Sequence, residues 1–324
     1  DGIPATTPDG QGEVDGLDLG SAARIEVLRG PSSVFYGAAS GGVIRIETES
    51  GPSEPMVETR WTVGENGLLK AQVKTGGTVE DLTVLLSISH LEISGHREQN
   101  LTRNRTLNGK VELQLPKRQM LRLVVNLIDY PRQDDPGGLT RAQAAEDPRQ
   151  ARPQNVLYDG GERVAQERIG LQYRRDFGQG SGVVFNVHST HRDFANKLPF
   201  ENGGQVSFQR HFYGGRGRFT QTGDRHLFSL GFDADVQIDD RQNNDNLSGR
   251  QGPLVLDQKE RVEAVGLYSF FEYEPARRVR RTAGLRHDWI HFNVTDIFIK
   301  DGDDSGRLRF SALSPSAGVN WDLS

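Results

Sequence analysis

The sequence predicts an all-β membrane β-barrel behind a smaller glycine-punctuated head, and three observations predict it. Apolar residues recur at every second position over long segments after Met56. The breaks between those segments alternate between short and long. No apolar run approaches the ~20 residues that a spanning helix requires, whereas a barrel strand crosses a bilayer with roughly 9–11 tilted residues.

Composition agrees with this and removes other classes. Hydrophobic residues are 35% of the 324, and mean hydropathy is −0.59. Strands with one apolar and one polar face average to such a hydrophilic value, as do those of a soluble β protein. The formal charge of −5 opposes nucleic-acid binding, which calls for a strongly basic balance. With no cysteine there is no disulfide framework, cysteine-ligated zinc or thiol nucleophile. Asp1-Gly2-Ile3-Pro4 lacks the basic and apolar regions of a signal peptide, as expected of a mature or truncated chain.

Residues 1–52 read as one unit. Ile25 and Val27 alternate as a short strand that Arg29-Gly30 stops, and Pro31 suits the first position of a brief helix over Ser32–Tyr36. Gly37 ends that turn, Gly41-Gly42 leads into a second strand over Val43–Glu47, and Gly51-Pro52 and Pro55 mark a linker. Residues 56–324 form the second unit, with about twelve strands. Leu107, Gly109, Val111, Leu113 and Leu115 make one apolar row; Leu121, Leu123, Val125 and Leu127 make another; Phe228 to Ile238 make a third. Short turns are expected at Gly76–Val79, Leu115–Arg118, Asp176–Gly180, Thr222–Arg225 and Glu274–Arg278. Long loops are expected at Glu92–Arg105, Asp129–Arg163, Asp193–Gln205, Asp239–Lys259 and Thr295–Ser305, with Gly64–Gly67 a short exception on their side. Sorting by end is how an up-and-down membrane barrel is wired. Tyr130, Phe177, Phe194, Trp289, Phe292 and Trp321 fall near strand ends, where rings at headgroup level would flank a lipid-facing band.

Arg24-Ile25-Glu26-Val27-Leu28-Arg29-Gly30-Pro31-Ser32-Ser33-Val34-Phe35-Tyr36-Gly37, followed by Gly41-Gly42-Val43-Ile44-Arg45-Ile46, resembles the closing motif of the plug in TonB-dependent outer-membrane receptors. The resemblance implies a plug that fills a barrel of about 22 strands, a number that leaves a lumen needing one. Residues 1–52 would be the end of that plug. Residues 56–324 would be the first half of the barrel, about twelve strands left open because the chain is truncated. Arg45 departs from the asparagine usual in the family, and only Ala38-Ala39-Ser40 separates Gly37 from Gly41. That spacing, with Asp135–Arg141 and Asp147–Gln150, resembles the branch that includes the pyrroloquinoline quinone receptor.

What the resemblance implies is active, plug-gated import of a scarce ligand, such as a ferric siderophore or similar chelate, across the bacterial outer membrane. Quinone-cofactor uptake is the alternative, and a passive porin-like channel is the reading from another class. The expected partners are outer-membrane lipid, the ligand and a TonB-type inner-membrane complex acting through a TonB box that this stretch lacks. No enzyme, nucleic-acid partner or cofactor is expected: no Walker, kinase or dinucleotide pattern occurs. Gating falls to Arg24, Glu26, Arg29, Gly30, Pro31, Tyr36, Gly37, Gly41 and Gly42, with wall glutamates as partners of the arginines, either Glu272 and Glu274 or glutamates of the missing half. Arg132, Arg149, Arg152, Tyr158 and Arg163 in or beside the longest loop, and Phe194 and Phe200 in the next, are candidate ligand contacts. Arginine forks suit carboxylate-bearing ligands, although the loop's own carboxylates compete for them. No protein metal site is expected: His287 and His291 stand ~13 Å apart on a strand, and His188 and His191 fall on opposite faces. Asp301-Gly302-Asp303-Asp304 lacks the EF-hand pattern and reads as a solvated acidic loop.

Overall fold

The computed structural model describes residues 1–12, 16–29, 33–37, 39 and 41–322. Gly30 and Pro31, and Ser32 at the start of the expected helix, lie outside them. In the head, β1 (Ala22–Arg29) and β2 (Gly42–Thr48) pair antiparallel as a two-stranded sheet, with α1 (Ser33–Tyr36) between them. Gly42 is fixed by sterics: its φ is 136°, and a Cβ there would lie 2.4 Å from the Leu28 carbonyl oxygen.

Twelve strands follow: β3 (Met56–Val63), β4 (Leu69–Val79), β5 (Leu82–Ile93), β6 (Thr102–Leu115), β7 (Gln119–Asp134), β8 (Gly161–Gly178), β9 (Ser181–Lys197), β10 (Gln205–Thr222), β11 (His226–Leu247), β12 (Arg250–Ala276), β13 (Val279–Asp296) and β14 (Gly306–Trp321). Each pairs antiparallel with its sequence neighbours; β3 and β14 are the two edges and do not meet, so the sheet stays open.

The sheet is inside out relative to a soluble protein. Val73, Ile88, Leu127, Ile169, Leu230 and Leu267 are all exposed on the face away from the head. The alternate positions, among them Lys74, Lys110, Asn126, Thr190 and Gln237, are buried on the face toward it. On β12 the outward run reaches from Glu263 to Tyr273 with Val265, Leu267 and Phe271 exposed. Ten steps at ~3.3 Å and a ~40° tilt give a band about 25 Å tall, the height of a membrane's apolar layer.

Three connections differ from the sequence reading. Gly76 and Gly77 lie inside β4, and the turn falls at Glu80-Asp81, where Glu80 has φ 52°. The glycines answer crowding instead, since a Cβ on Gly76 would sit 2.5 Å from the Val84 carbonyl oxygen. The expected loop over Asp239–Lys259 is a continuation of β11 and β12, closed by Ser248 and Gly249, both at positive φ as a tight hairpin requires. The loop between β7 and β8 carries two short helices, α2 (Arg141–Glu146) and α3 (Pro153–Leu157). Thr140 and Gln143 form a capping box on α2. Of the aromatic girdle, Phe177, Trp289 and Trp321 are exposed. Tyr130 is 3% exposed and lies with Ile128 and Val164 in a cluster against which Phe194 packs, so Tyr130 and Phe194 serve the inner face. Phe292 falls on the row opposite Trp289 and packs against Phe310.

Candidate functional site: the contact between head and sheet

The inward rows of the sheet carry the polar groups, and the head engages them at separate points. On β4, Lys74 pairs with Glu49 at 2.7 Å and with Glu58 at 3.3 Å. On β6, Lys110 donates to the Thr48 carbonyl at 2.9 Å and lies 3.4 Å from the Asp1 carboxylate, which also accepts from the Thr48 hydroxyl. Ser87 of β5 donates to Asp18 at 2.8 Å. On β10, Arg210 makes a two-pronged pair with Asp239 of β11 at 2.8 and 2.7 Å and extends to Asp9 at 3.1 Å. Gln237 donates to both carboxylates, at 2.9 Å to Asp9 and 2.8 Å to Asp239. On β13, Arg286 is held by Asp233 and Asp288 and reaches the Val34 carbonyl at 3.4 Å. Phe35 of α1 completes this corner against Tyr268 and Phe270, with ring centres 5.7 and 5.0 Å apart.

From β4 to β13 is nine inter-strand steps, ~43 Å if the sheet were flat. A compact unit of ~50 residues is only ~25 Å across. One head touches both strands because the sheet curves around it.

Among the described residues, the contact does not pair head arginines with Glu272 and Glu274. The wall supplies the cations, and the head supplies Glu49, Asp1, Asp9 and backbone carbonyls. Arg24 pairs with Glu26 within β1, and Arg45 of β2 pairs with Glu26 and Glu47. Arg29 is exposed. Glu272 and Glu274, expected to receive the head arginines, both pair with Arg280 of β13. The reason is register: Glu26 faces Arg45 across the hairpin, so the head's arginines have acids at hand before any wall strand is reached. Tyr36 is exposed, Gly37 sits at φ 64° beside the Arg286 guanidinium, and Gly41 stands in open space.

Asp9 lies outside the strands and shows what the contact does to a charge. Burial alone raises its carboxyl. Hydrogen bonds from Thr7, Gln237 and the Gln11 amide, with the Arg210 charge, outweigh burial and hold it below its ordinary 3.8.

This geometry, a polar-lined open sheet wrapped around a small head, meets a sequence match. Residues 114–324, about two thirds of the chain, match the family described as TonB dependent receptor-like, beta-barrel. The chain belongs to the TonB-dependent receptor family. Solved receptors agree in fold. The unliganded ferric citrate transporter FecA matches with a TM-score of 0.83 at 21% identity, over 100% of this chain and 51% of that one. The ferric yersiniabactin uptake receptor FyuA from Yersinia pestis gives 0.77 at 15%, over 93% and 50%. The siderophore receptor PiuA from Acinetobacter baumannii gives 0.75 at 11%, over 94% and 52%. The receptor chain thus spans about half the length of these structures.

The loop residues singled out in the sequence do not converge on one site in this receptor chain. Arg132 is clamped by Asp134 at 2.8 Å through both its Nε and Nη2. Arg149 and Arg152 are exposed, and Arg152 is the N-cap residue of α3. Tyr158 gives its carbonyl to Asn246. Arg163 is exposed on the outward row of β8, beside Asp129 and Asp193. Phe194 stacks on Phe208 at 4.8 Å, while Phe200 stays exposed. His188 and His191 do fall on opposite faces: His188 is buried against Asp235 at 3.0 Å, and His191 leans on Asp193. In the acidic loop after β13, Asp303 accepts from the Ser305 hydroxyl and amide, which lowers its carboxyl.

Two residues that the sequence did not flag organise the longer loops. Arg97 donates to the carbonyls of Pro136, Gly137 and Gln150. Asn246, fully buried, donates to Tyr158 and Leu198 carbonyls and accepts from the Gly249 amide. Their only sequence signal is a long polar side chain amid turn residues, which is too common to select them.

Proposed function

We propose that residues 1–52 are the closing part of a plug and residues 56–324 the first half of the barrel wall of a TonB-dependent importer in the bacterial outer membrane. The observation that carries this reading is the inverted sheet: apolar rows face away from the head, and polar rows line the side that holds it. A hydrocarbon environment outside and a wet, occupied lumen inside is the setting in which that pattern is stable.

The ligand class we assign is a ferric chelate. Three of the similar solved structures are, by name, a ferric citrate transporter, a ferric yersiniabactin uptake receptor and a siderophore receptor. Arg149, Arg152, Tyr158 and Phe200 are the loop side chains we assign to first contact. Transport against a gradient needs work from outside the chain, since its sequence holds no nucleotide-binding motif. A pull on the head delivered by a TonB-type partner would act on the ion pairs described above.

Growth of a receptor-deficient strain carrying the gene, on single iron chelates and with or without TonB, tests the proposal. TonB-dependent rescue by at least one chelate is expected. Rescue that persists without TonB would sink it. So would a Leu230→Lys variant that inserts and transports as well as the parent, because a lysine at mid-band should cost ~2–4 kcal/mol in lipid.

A further inference from the structure

Among the described residues, one buried inward-facing cation has no counter-charge. Arg168 of β8 lies in register between Asn126 of β7 and Thr190 of β9. Its Nε is sealed from solvent and finds no acceptor. Among the described residues no carboxylate stands within ion-pair distance of it, whereas Lys74, Lys110, Arg210 and Arg286 each have one. Next to it the Thr190 hydroxyl is also buried without a partner, in a residue only 5% exposed. Both line a cavity of about 20 Å³ that Thr7 and Gln11 of the head close from the other side.

A guanidinium cannot relieve burial by losing its proton, so its charge has to be answered by an anion. Asp9 and Asp239, the carboxylates that Arg210 at the same cavity engages, are already shared between Arg210 and Gln237. The volume holds a single atom-sized guest, as one water needs ~10–15 Å³. Sulfate, phosphate or a ligand carboxylate with its carbon frame is too large. The groups at hand, Arg168 N–H and Thr190 O–H, can both donate.

We propose that this cavity is a halide site, in which one chloride is held by Arg168 and Thr190 between the wall and the head. The ion supplies the negative charge that the strand register withholds from Arg168, and it seats the head's first loop. Its occupancy is independent of whether, or what, the receptor transports.

Anomalous diffraction from the detergent-solubilised receptor crystallised in bromide tests it. A bromide peak in contact with Arg168 and Thr190 is expected, absent in Arg168→Met and weakened in Thr190→Val. Density for water alone at saturating bromide overturns the proposal. In solution, replacing gluconate by chloride at fixed ionic strength should raise the thermal midpoint by a few degrees, progressively with concentration. Equal midpoints in the two salts overturn it. Should Arg168→Met fail to assemble, the halide titration of the parent protein decides alone.

Discussion

The head is attached to the sheet in two different ways, and the difference lies in how much water each ion pair keeps. The stretch from Asp1 to Gly12 meets the wall through Arg210, whose side chain is 6% exposed, and Asp239, at 3%. The β1–β2 hairpin holds its charges among themselves, with Arg24 at 65% exposure and Arg45 at 48%. Both regions are rich in salt bridges. Only the first is expected to depend on them, because removing one partner from a buried pair strands the other, whereas an exposed pair gains little in water.

Breaking the buried contact should have the largest effect. Arg210→Met leaves Asp9 and Asp239 buried without their cation, at a cost of ~3–5 kcal/mol. Hydrogen exchange at the Thr7 and Gly10 amides, which bond within the loop, should then speed up by a hundredfold or more. Exchange at the parent rate would mean that the loop is held by something else. The double variant Arg210→Met with Asp9→Asn should recover part of the loss, which separates the pair's own coupling from general damage.

Lys74→Met comes next, with Glu49 and Glu58 losing a cation whose side chain is 7% exposed. A charge-assisted bond of this kind contributes ~1.5–3 kcal/mol. Because the chain has no cysteine, Ser21→Cys, at a position 1% exposed, can report the opening through its alkylation rate. That rate should rise about tenfold or more in Lys74→Met and stay flat if Glu49 alone seats this corner.

The pH dependence of the contact sharpens the comparison further. Asp9 titrates below its ordinary value in the seated head, so its contribution is fully present above about pH 4 and is lost as pH falls through the lowered value. Calorimetry of the parent and of Asp9→Asn should show a gap near neutrality that closes in acid. A gap that widens on acidification would reverse the assignment. The smallest effect belongs to the hairpin: Arg24→Ala should shift stability by less than ~1 kcal/mol, within the range of exposed pairs. A loss comparable with that of Arg210→Met would show that the hairpin face is covered in the working receptor.

Much of the large sheet was legible because alternation reports the solvent on each side of a strand. Leu121 to Leu127 and Phe228 to Ile238 read as rows in the sequence and are rows in the structure. The same signal failed at Asp239–Asn246, where β11 continues with polar residues at every position. Polar residues on both faces leave no period to read, so the extended hairpin looked like a loop. Tyr130 and Phe194 misled for a related reason: an aromatic near a strand end fits a lipid girdle and an inner cluster equally well until the parity of its row is known.

The sequence by itself determined that this chain makes long antiparallel strands with one apolar face, where most of the short turns fall and that a glycine-punctuated stretch precedes them. Those features rest on local sterics and on periodicity, both written in neighbouring residues. The tertiary structure alone decided which charges meet across the contact. Asp9 and Gln237 are 228 positions apart, and Val34 and Arg286 are 252. Such partners are chosen by curvature and register summed over many strands, and no window of sequence contains that sum.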